Sequence, residues 1–195
     1  AAHVLGADCG VGVWLMLEMV KAKVPGTYIW HAEEEIGGKG SDYIAKNMLD
    51  KIQNKKFAIA FDRSGTDEII THQFCGRTAS DAFASSLASI LHPLKYEKSE
   101  YGSFTDTANY AGIIPECTNL SVGYYKQHQT TEHLDIPHAM ALRAALCAAD
   151  WPRLVASRDP SVKEPRVYAW AKNRYDDLKW WQDETTKKWH YGDKP

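Results

Sequence analysis

Acidic and imidazole side chains stand just after the predicted strands or in the loops that follow them. They are Asp8, Glu34, Glu35, Asp62 and His128. Loops from neighbouring strand ends can converge on one point, although the residues are far apart in the chain. Carboxylate and imidazole groups together are suitable ligands for zinc. The pattern therefore predicts a metal site.

Each of these residues also has an ordinary structural explanation. Asp8 precedes a helical pattern and could be a helix N-cap. Glu34 and Glu35 could form a solvated acidic turn near a helix N-terminus. Asp62 stands before a Ser-Gly pair and could be a turn residue. His128 is one of eight histidines, so none of the five is decisive alone.

Helical and strand patterns alternate along the first 150 residues. Apolar residues at helical spacing predict helices, and short β-branched or aromatic runs predict strands. The helices are predicted at 10–23, 80–91 and 136–149, and the strands at 27–30, 57–61, 68–74 and 120–125. This alternation indicates an α/β fold with a largely parallel sheet flanked by helices.

Composition excludes several classes of function. The 195 residues hold 23 Lys and Arg against 25 Asp and Glu, a formal charge of −2 that favours neither nucleic acid nor an anionic membrane as partner. The longest apolar run, 11–20, is interrupted by Glu18 and is too short to span a bilayer. Four cysteines without CxxC spacing predict reduced thiols in a cytoplasmic protein.

The sequence changes character from residue 151 onward. Pro152, Pro160 and Pro165 punctuate a linker, and the stretch 167–188 is polar with many aromatic residues. We expect a catalytic domain over 1–150, followed over 151–195 by a linker and an aromatic-rich C-terminal helix. An aromatic stripe of this kind is typical of packing against the parent domain or a partner.

The chemistry-bearing segments occur in a distinctive order. They are LGADCGVG at 5–12, HAEEEIG at 31–37 and IAFD at 59–62, followed by His128. The set resembles the co-catalytic zinc exopeptidases, the aminopeptidase and carboxypeptidase superfamily. The resemblance implies a three-layer α/β/α fold with a mostly parallel mixed central sheet.

The resemblance also implies a role for each residue. Asp8 bridges two zinc ions, and Glu34 is the general base. Glu35 and Asp62 each bind one ion, and His128 binds the same ion as Glu35. The implied reaction is hydrolysis of a peptide or small amide substrate by a metal-activated water. Cobalt and manganese accept the same ligands, so the identity of the metal stays open.

A further segment fits the single-domain aminopeptidase branch. The run TDTANY at 105–110, followed by GIIP at 112–115, resembles the substrate-pocket loop of that branch. The resemblance therefore implies that Thr105 and Asp106 bind substrate. The short interval between Asp62 and His128 leaves little room for an inserted dimerisation domain. We expect one compact, aminopeptidase-like catalytic domain.

The sequence departs from the family pattern at its beginning. Cys9 stands where the family commonly has a second Asp. The family also has a His-x-Asp strand end upstream, which has no counterpart before Asp8. We therefore expect this chain to be the later part of a longer enzyme, with one metal site short of a His. His3 is the alternative, a substitute ligand.

A second hypothesis comes from a different class of function. The chain would retain the peptidase fold as a non-catalytic metal-binding or protein-interaction protein, with its aromatic tail as the partner surface. The sequence leaves the oligomeric state open, with a homo-oligomer among the alternatives.

Overall fold

The computed structural model describes residues 4–74, 76–162, 180–182 and 189–191. The chain divides into two units, Ala1–Glu164 and Pro165–Pro195. Every residue predicted to take part in the site belongs to the first unit.

The described strands of the first unit build a small sheet and two separate two-stranded pairs. They are β1 (Phe57–Arg63), β2 (Glu68–Ile70), β3 (His72–Gln73), β4 (Gly76–Arg77), β5 (Glu97–Ser99), β6 (Glu116–Ser121), β7 (Tyr124–Tyr125) and β8 (His133–Leu134). The central sheet has the order β1-β6-β2-β5. β1 is parallel to β6 and β2 to β5, whereas β2 and β6 are antiparallel. The central sheet is therefore mixed and mostly parallel, as the resemblance implied.

Helices cover both faces of this sheet. They are α1 (Ala7–Lys21), α2 (Lys39–Asn47), α3 (Leu49–Ile52), α4 (Asp81–Ile90) and α5 (Ile136–Ala148), with 3-10 turns at Asp106–Tyr110 and Trp151–Arg153. One hydrophobic cluster joins α1, α4 and α5 to one face of the sheet. A second cluster packs Ile52, Tyr110 and Ile114 around Cys117. The result is a three-layer α/β/α architecture.

Local sequence signals account for the long helices. Ser80 caps α4 by accepting the N–H of Phe83, and Asp135 caps α5 by accepting the N–H of His138. The helices predicted at 10–23, 80–91 and 136–149 are confirmed with shifted ends. All three segments carry the apolar spacing of a helix, and α4 and α5 also have a capping side chain, whereas α1 begins after Gly6 without one.

Three strand predictions differ from the structure. The strand predicted at 68–74 is instead two short strands, β2 and β3, interrupted at Thr71. The chain at 27–30 forms no strand, since no described strand provides it with a hydrogen-bonded neighbour. The strand predicted at 120–125 is instead the end of β6 and the short β7, separated by a turn at Gly123. β6 also begins earlier, at Glu116.

The second unit contains β9 (Trp180–Gln182) and β10 (Trp189–Tyr191), which pair in antiparallel fashion. The helix predicted over 167–188 is wrong at Trp180–Gln182, and the remainder of it lies outside the described residues. Aromatic residues favour strands over helices, and a nearby second aromatic run supplies the pairing partner. That the segment packs on the first unit stays a prediction.

Within the described ranges, none of the helices combines the length and hydrophobicity that crossing a membrane would require.

Candidate metal centre

Asp8 lies at the beginning of α1, where the backbone is not yet helical (φ −85°, ψ 112°). The peptide bond from Asp8 to Cys9 is cis. The Glu132 carboxylate accepts the backbone N–H groups of Gly6 (2.8 Å) and Asp8 (3.0 Å). The Asp8 side chain is 9% exposed and makes no helix-capping hydrogen bond. Glu132 thus fixes the backbone at Asp8, whose carboxylate points into the site.

A tight turn presents the two neighbouring glutamates. The carbonyl of Glu34 accepts the N–H groups of Gly37 (3.0 Å) and Gly38 (2.9 Å). Gly38 has a φ of +63°, and a Cβ there would lie 2.5 Å from the Phe104 ring, so only glycine fits. The turn leaves Glu34 half-buried and Glu35 exposed. The two carboxylates therefore meet different surroundings.

His128 completes a compact group of ligands with Asp8 and Glu35. Its Nε2 lies 2.9 Å from Glu35 Oε1 and 3.1 Å from Asp8 Oδ2. Hydrogen bonding and attraction to Glu35 raise the pKa of His128. One ligand atom from each residue lies within 4.8 Å of the others. Ligands of tetrahedral zinc, with bonds of about 2.0–2.2 Å, stand at similar separations, so this donor set fits zinc.

Asp62 stands beside this group at the end of β1. Its N–H donates to Asn119 Oδ1 (3.0 Å), and Asn119 Nδ2 donates to its carbonyl (2.7 Å). Thr105 Oγ1 donates to Asp62 Oδ2 (3.1 Å). Burial, followed by hydrogen bonding and repulsion from Asp8, raises the pKa of Asp62 to about 8. Two carboxyl groups in contact favour a shared proton or a cation between them.

Glu34 has a proton affinity suited to acid-base chemistry. Burial raises its pKa to about 7, with smaller contributions from the carboxylates of Asp106, Glu35 and Asp8. A general base works best when its pKa lies near the operating pH. Glu34 differs in this respect from an ordinary surface glutamate.

The structure gives Thr105 and Asp106 contacts within the protein. Thr105 holds Asp62, as described above. Asp106 Oδ2 lies 3.0 Å from His31 Nδ1, and His31 Nε2 lies 2.6 Å from the hydroxyl of Tyr110. Asp106 Oδ1 is buried without a hydrogen-bond partner in the described part of the chain. Asp106 therefore retains one free acceptor.

Sequence reasoning missed the supporting residues His31, Tyr110 and Glu132. His31 stands within the HAEEEIG segment, and its position there was the available signal. The contacts of Tyr110 and Glu132 depend on tertiary structure, so no local pattern indicates them. His3, the proposed substitute ligand, lies outside the described residues.

One cavity of about 750 Å³ connects the predicted residues. Its lining includes Asp8, Glu34, Glu35, Asp62 and Asp106. The structure therefore brings together the chemistry-bearing residues predicted from the sequence, with His128 at the adjoining exposed surface.

Comparison with solved structures identifies the architecture. The chain matches PhTET1-12s, a TET aminopeptidase with a dodecamer in the asymmetric unit, at a TM-score of 0.58 and 20% identity over 73% of this chain and 48% of that chain. It also matches the aminopeptidase APDkam598 from the archaeon Desulfurococcus kamchatkensis, at a TM-score of 0.54 and 17% identity over 73% of this chain and 47% of that one. The chain shares the fold of these two structures.

The aminopeptidase fold agrees with the resemblance found in the sequence. The chain spans about half the length of these two aminopeptidases. No family model and no curated protein matches the sequence.

Proposed function

We propose that the protein is a metal-dependent hydrolase, an exopeptidase of the aminopeptidase type that cleaves peptide or related amide bonds. The observation that carries the proposal is the convergence of Asp8, Glu35 and His128 beside the half-buried Glu34. The aminopeptidase fold supports it.

The ligands divide between two zinc positions. Asp8, Glu35 and His128 would hold one ion, and Asp8 with Asp62 would hold the second. Zinc, or cobalt or manganese in its place, would act as a Lewis acid that polarises the scissile carbonyl and lowers the pKa of a bound water. The hydrogen bond from Thr105 orients the Asp62 carboxylate for this role.

Glu34 carries the proton through the reaction. Its carboxylate takes a proton from the attacking water as the water oxygen bonds to the scissile carbonyl carbon. Glu34 then gives that proton to the leaving nitrogen as the C–N bond breaks. A pKa of about 7 allows Glu34 both to accept and to release the proton near neutral pH.

Asp106 supports recognition of a substrate amino terminus. Its buried Oδ1 lacks a partner within the described ranges, and its charge lies close enough to Glu34 to raise the pKa of that residue. A protonated α-amino group would provide the missing donor and offset the surplus of carboxylates. A substrate carboxylate at the same place would be repelled.

Hydrolysis of aminoacyl p-nitroanilides, measured with zinc or cobalt present and after EDTA treatment, tests this function. Glu34→Gln should lower kcat about 10²- to 10⁴-fold and leave metal content nearly unchanged. Glu33→Gln is the matched control, because Glu33 is an exposed neighbour whose carboxylate pairs with Lys39. Activity that survives EDTA, or equal turnover by the Glu34→Gln variant, would refute the proposal.

One observation favours the second candidate, a metal-binding protein without turnover. Asp62 contacts Thr105, Asn119 and Asp8, and within the described ranges no histidine contacts it. A second ion would therefore be held by carboxylates alone. Stable zinc binding without hydrolysis of any aminoacyl p-nitroanilide would support this candidate.

A further inference from the structure

A single loop holds Asp8 at both its backbone and its side chain. This loop, residues 126–132, connects β7 to β8, and we call it the clamp loop. Its last residue, Glu132, accepts the backbone N–H of Asp8 (3.0 Å). From the same loop, His128 Nε2 lies 3.1 Å from Asp8 Oδ2. The clamp loop therefore affects both the position of the Asp8 backbone and the direction of its carboxylate.

The Glu132 carboxylate uses both of its oxygens to hold the chain that precedes α1. Oε2 accepts the N–H of Gly6, and Oε1 accepts the N–H of Asp8. N–H groups at the start of a helix have no acceptor within the helix. Hydrogen bonds from N–H groups to a carboxylate are charge-assisted, and two of them together fix orientation as well as position.

The clamp loop has a shape that contacts at its ends must maintain. Lys126 (φ +55°) and His128 (φ +61°) are both in the left-handed region, which is unfavourable for residues with a side chain. At the base of the loop, the Tyr125 ring stacks on the His133 ring with centroids 5.3 Å apart. At its far contact, Glu132 binds the backbone before α1. These contacts keep His128 and Glu132 in one arrangement.

The packing of α1 has its own source of stability. Val11, Leu15 and Met19 of this helix are buried in the hydrophobic cluster shared with α4 and α5. Glu132 is only partly buried, and its contacts are confined to the residues before the first apolar position. We therefore expect Glu132 to affect where Asp8 lies more than whether α1 forms.

We infer that Glu132 is a positioning residue of the metal centre. Through the backbone of Gly6 and Asp8, it holds the Asp8 carboxylate where His128 and Glu35 can bind the same ion. This role rests on the proposed metal-dependent function, and it assigns part of the zinc affinity to a residue that is not itself a ligand. Residues that orient metal ligands in this way typically change metal affinity by about 10- to 100-fold.

The effect should also work in the opposite direction. An ion shared by Asp8 and His128 would join the same two segments that Glu132 joins. Coupling between two sites is reciprocal, so zinc should slow hydrogen exchange of the Gly6 and Asp8 amides in the wild-type protein. The slowing should be smaller in Glu132→Gln, in which the amides lose the carboxylate.

Zinc titration of the full chain against a chromophoric chelator tests the role of Glu132. Glu132→Gln preserves the size of the side chain but leaves one carbonyl oxygen for two N–H groups. It should weaken zinc binding by about 10- to 100-fold. Glu132→Asp retains the charge but is one methylene shorter, so it should also weaken binding.

Glu33→Gln is the matched control for the loss of charge. It removes the same charge from an exposed position beside the predicted site, where the carboxylate pairs with Lys39. Its zinc affinity should stay within about threefold of the wild-type value, because exposed charges are screened. High salt should reduce any effect of Glu33→Gln, whereas most of the effect of Glu132→Gln should persist.

NMR spectra of the metal-free proteins give a second readout that needs neither zinc nor activity. The amide protons of Gly6 and Asp8 should move upfield in Glu132→Gln, because they lose a carboxylate acceptor, and should stay unchanged in Glu33→Gln. Urea unfolding in EDTA should give nearly equal midpoints for all variants. A purely structural role would instead lower the midpoint of Glu132→Gln and leave the zinc affinity of the folded protein unchanged.

The possible failures point to different conclusions. Wild-type zinc affinity in Glu132→Gln would overturn the positioning role and leave the metal centre intact. So would normal affinity in Glu132→Asp, or weakening that high salt abolishes, because either would assign the effect to charge alone. Unchanged amide shifts in Glu132→Gln would overturn the contact itself. A wild-type chain without zinc affinity would overturn both this role and the proposed function.

Discussion

Asp62 is the site residue whose carboxyl pKa is raised most by its surroundings. Its pKa rises to about 8 because it is buried against Asp8, whereas an unfolded chain would titrate near 3.8. Without metal, the folded protein therefore keeps a proton that the unfolded chain releases. The contribution of Asp62 to the free energy of unfolding is greatest below about pH 4 and is lost as the pH rises toward about 8.

Asp62→Asn should flatten this pH dependence, because an amide needs no proton to remain neutral. The measurement is urea denaturation in EDTA at a series of pH values from acidic to mildly alkaline. Glu34, whose pKa is raised to about 7, contributes to the remaining slope with the same sign. An equal pH dependence for the wild-type protein and the Asp62→Asn variant would contradict the assignment.

At the residue scale, the sequence predicts which side chains meet and why they suit a metal. Asp8, Glu35 and His128 come from three distant segments. Their types and their order, through the resemblance to the zinc exopeptidases, predicted that they meet. The role of Glu132 was not predictable, because its contact is with backbone N–H groups more than 120 positions away. Backbone recognition by a side chain leaves no motif in the sequence.

At the element scale, the contact between α1 and β1 positions Asp8 relative to Asp62. A Cβ on Gly12 would lie 2.1 Å from the carbonyl oxygen of Phe61, so α1 can approach β1 closely only with glycine there. Gly12→Ala should push α1 outward, cost about 1–3 kcal/mol of unfolding free energy and weaken zinc binding.

Gly10→Ala is the matched control for this prediction. It lies in the same helix, and a Cβ there would meet nothing within 4 Å. Its stability should stay level or rise by up to about 1 kcal/mol, because alanine favours helix. Urea denaturation and zinc titration of the two variants provide the comparison. Equal stability of the two would show that the close approach is unimportant.

A buried carboxylate ties the end of the first unit to the sheet. Glu116 of β6 is fully buried and accepts the N–H groups of Ser80 (2.6 Å), Ser157 (2.8 Å) and Arg158 (2.9 Å). Arg158 in turn donates to the carbonyls of Pro115 and Ala111. The segment around residue 157 is therefore held by charge-assisted hydrogen bonds.

Glu116→Ala should destabilise the protein by about 1–3 kcal/mol, because a fully buried side chain is removed and three partly buried backbone N–H groups lose their acceptor. Glu97→Ala, at an exposed position of β5, is the control and should change stability by less than about 0.5 kcal/mol. Denaturant unfolding of both variants measures the difference. A small effect at Glu116 would mean that water replaces the carboxylate.

The elements that were predictable are those with local signals. The helices at 80–91 and 136–149 carry caps, and β1 is a single apolar run. The segment 27–30 has an equally strong strand pattern but pairs with none of the described strands, which no local signal reveals. The direction of β2 against β6 likewise depends on tertiary pairing.

At the scale of the whole molecule, the chain corresponds to about half of the aminopeptidases that share its fold. PhTET1-12s has a dodecamer in its asymmetric unit. Self-association of this chain stays a prediction that sedimentation measurements can test.

The number of zinc ions bound per chain tests the central claim most directly. The protein is dialysed first against a zinc-containing buffer and then against a metal-free buffer, and its zinc content is measured by elemental analysis. The wild-type chain and the Glu34→Gln variant should each retain at least about one zinc per chain, because Asp8, Glu35 and His128 form the ligand set. His128→Ala should lose zinc, whereas His133→Ala, at an exposed histidine outside the cluster, should retain it. No retained zinc in the wild-type chain, or equal retention by both histidine variants, would contradict the metal centre.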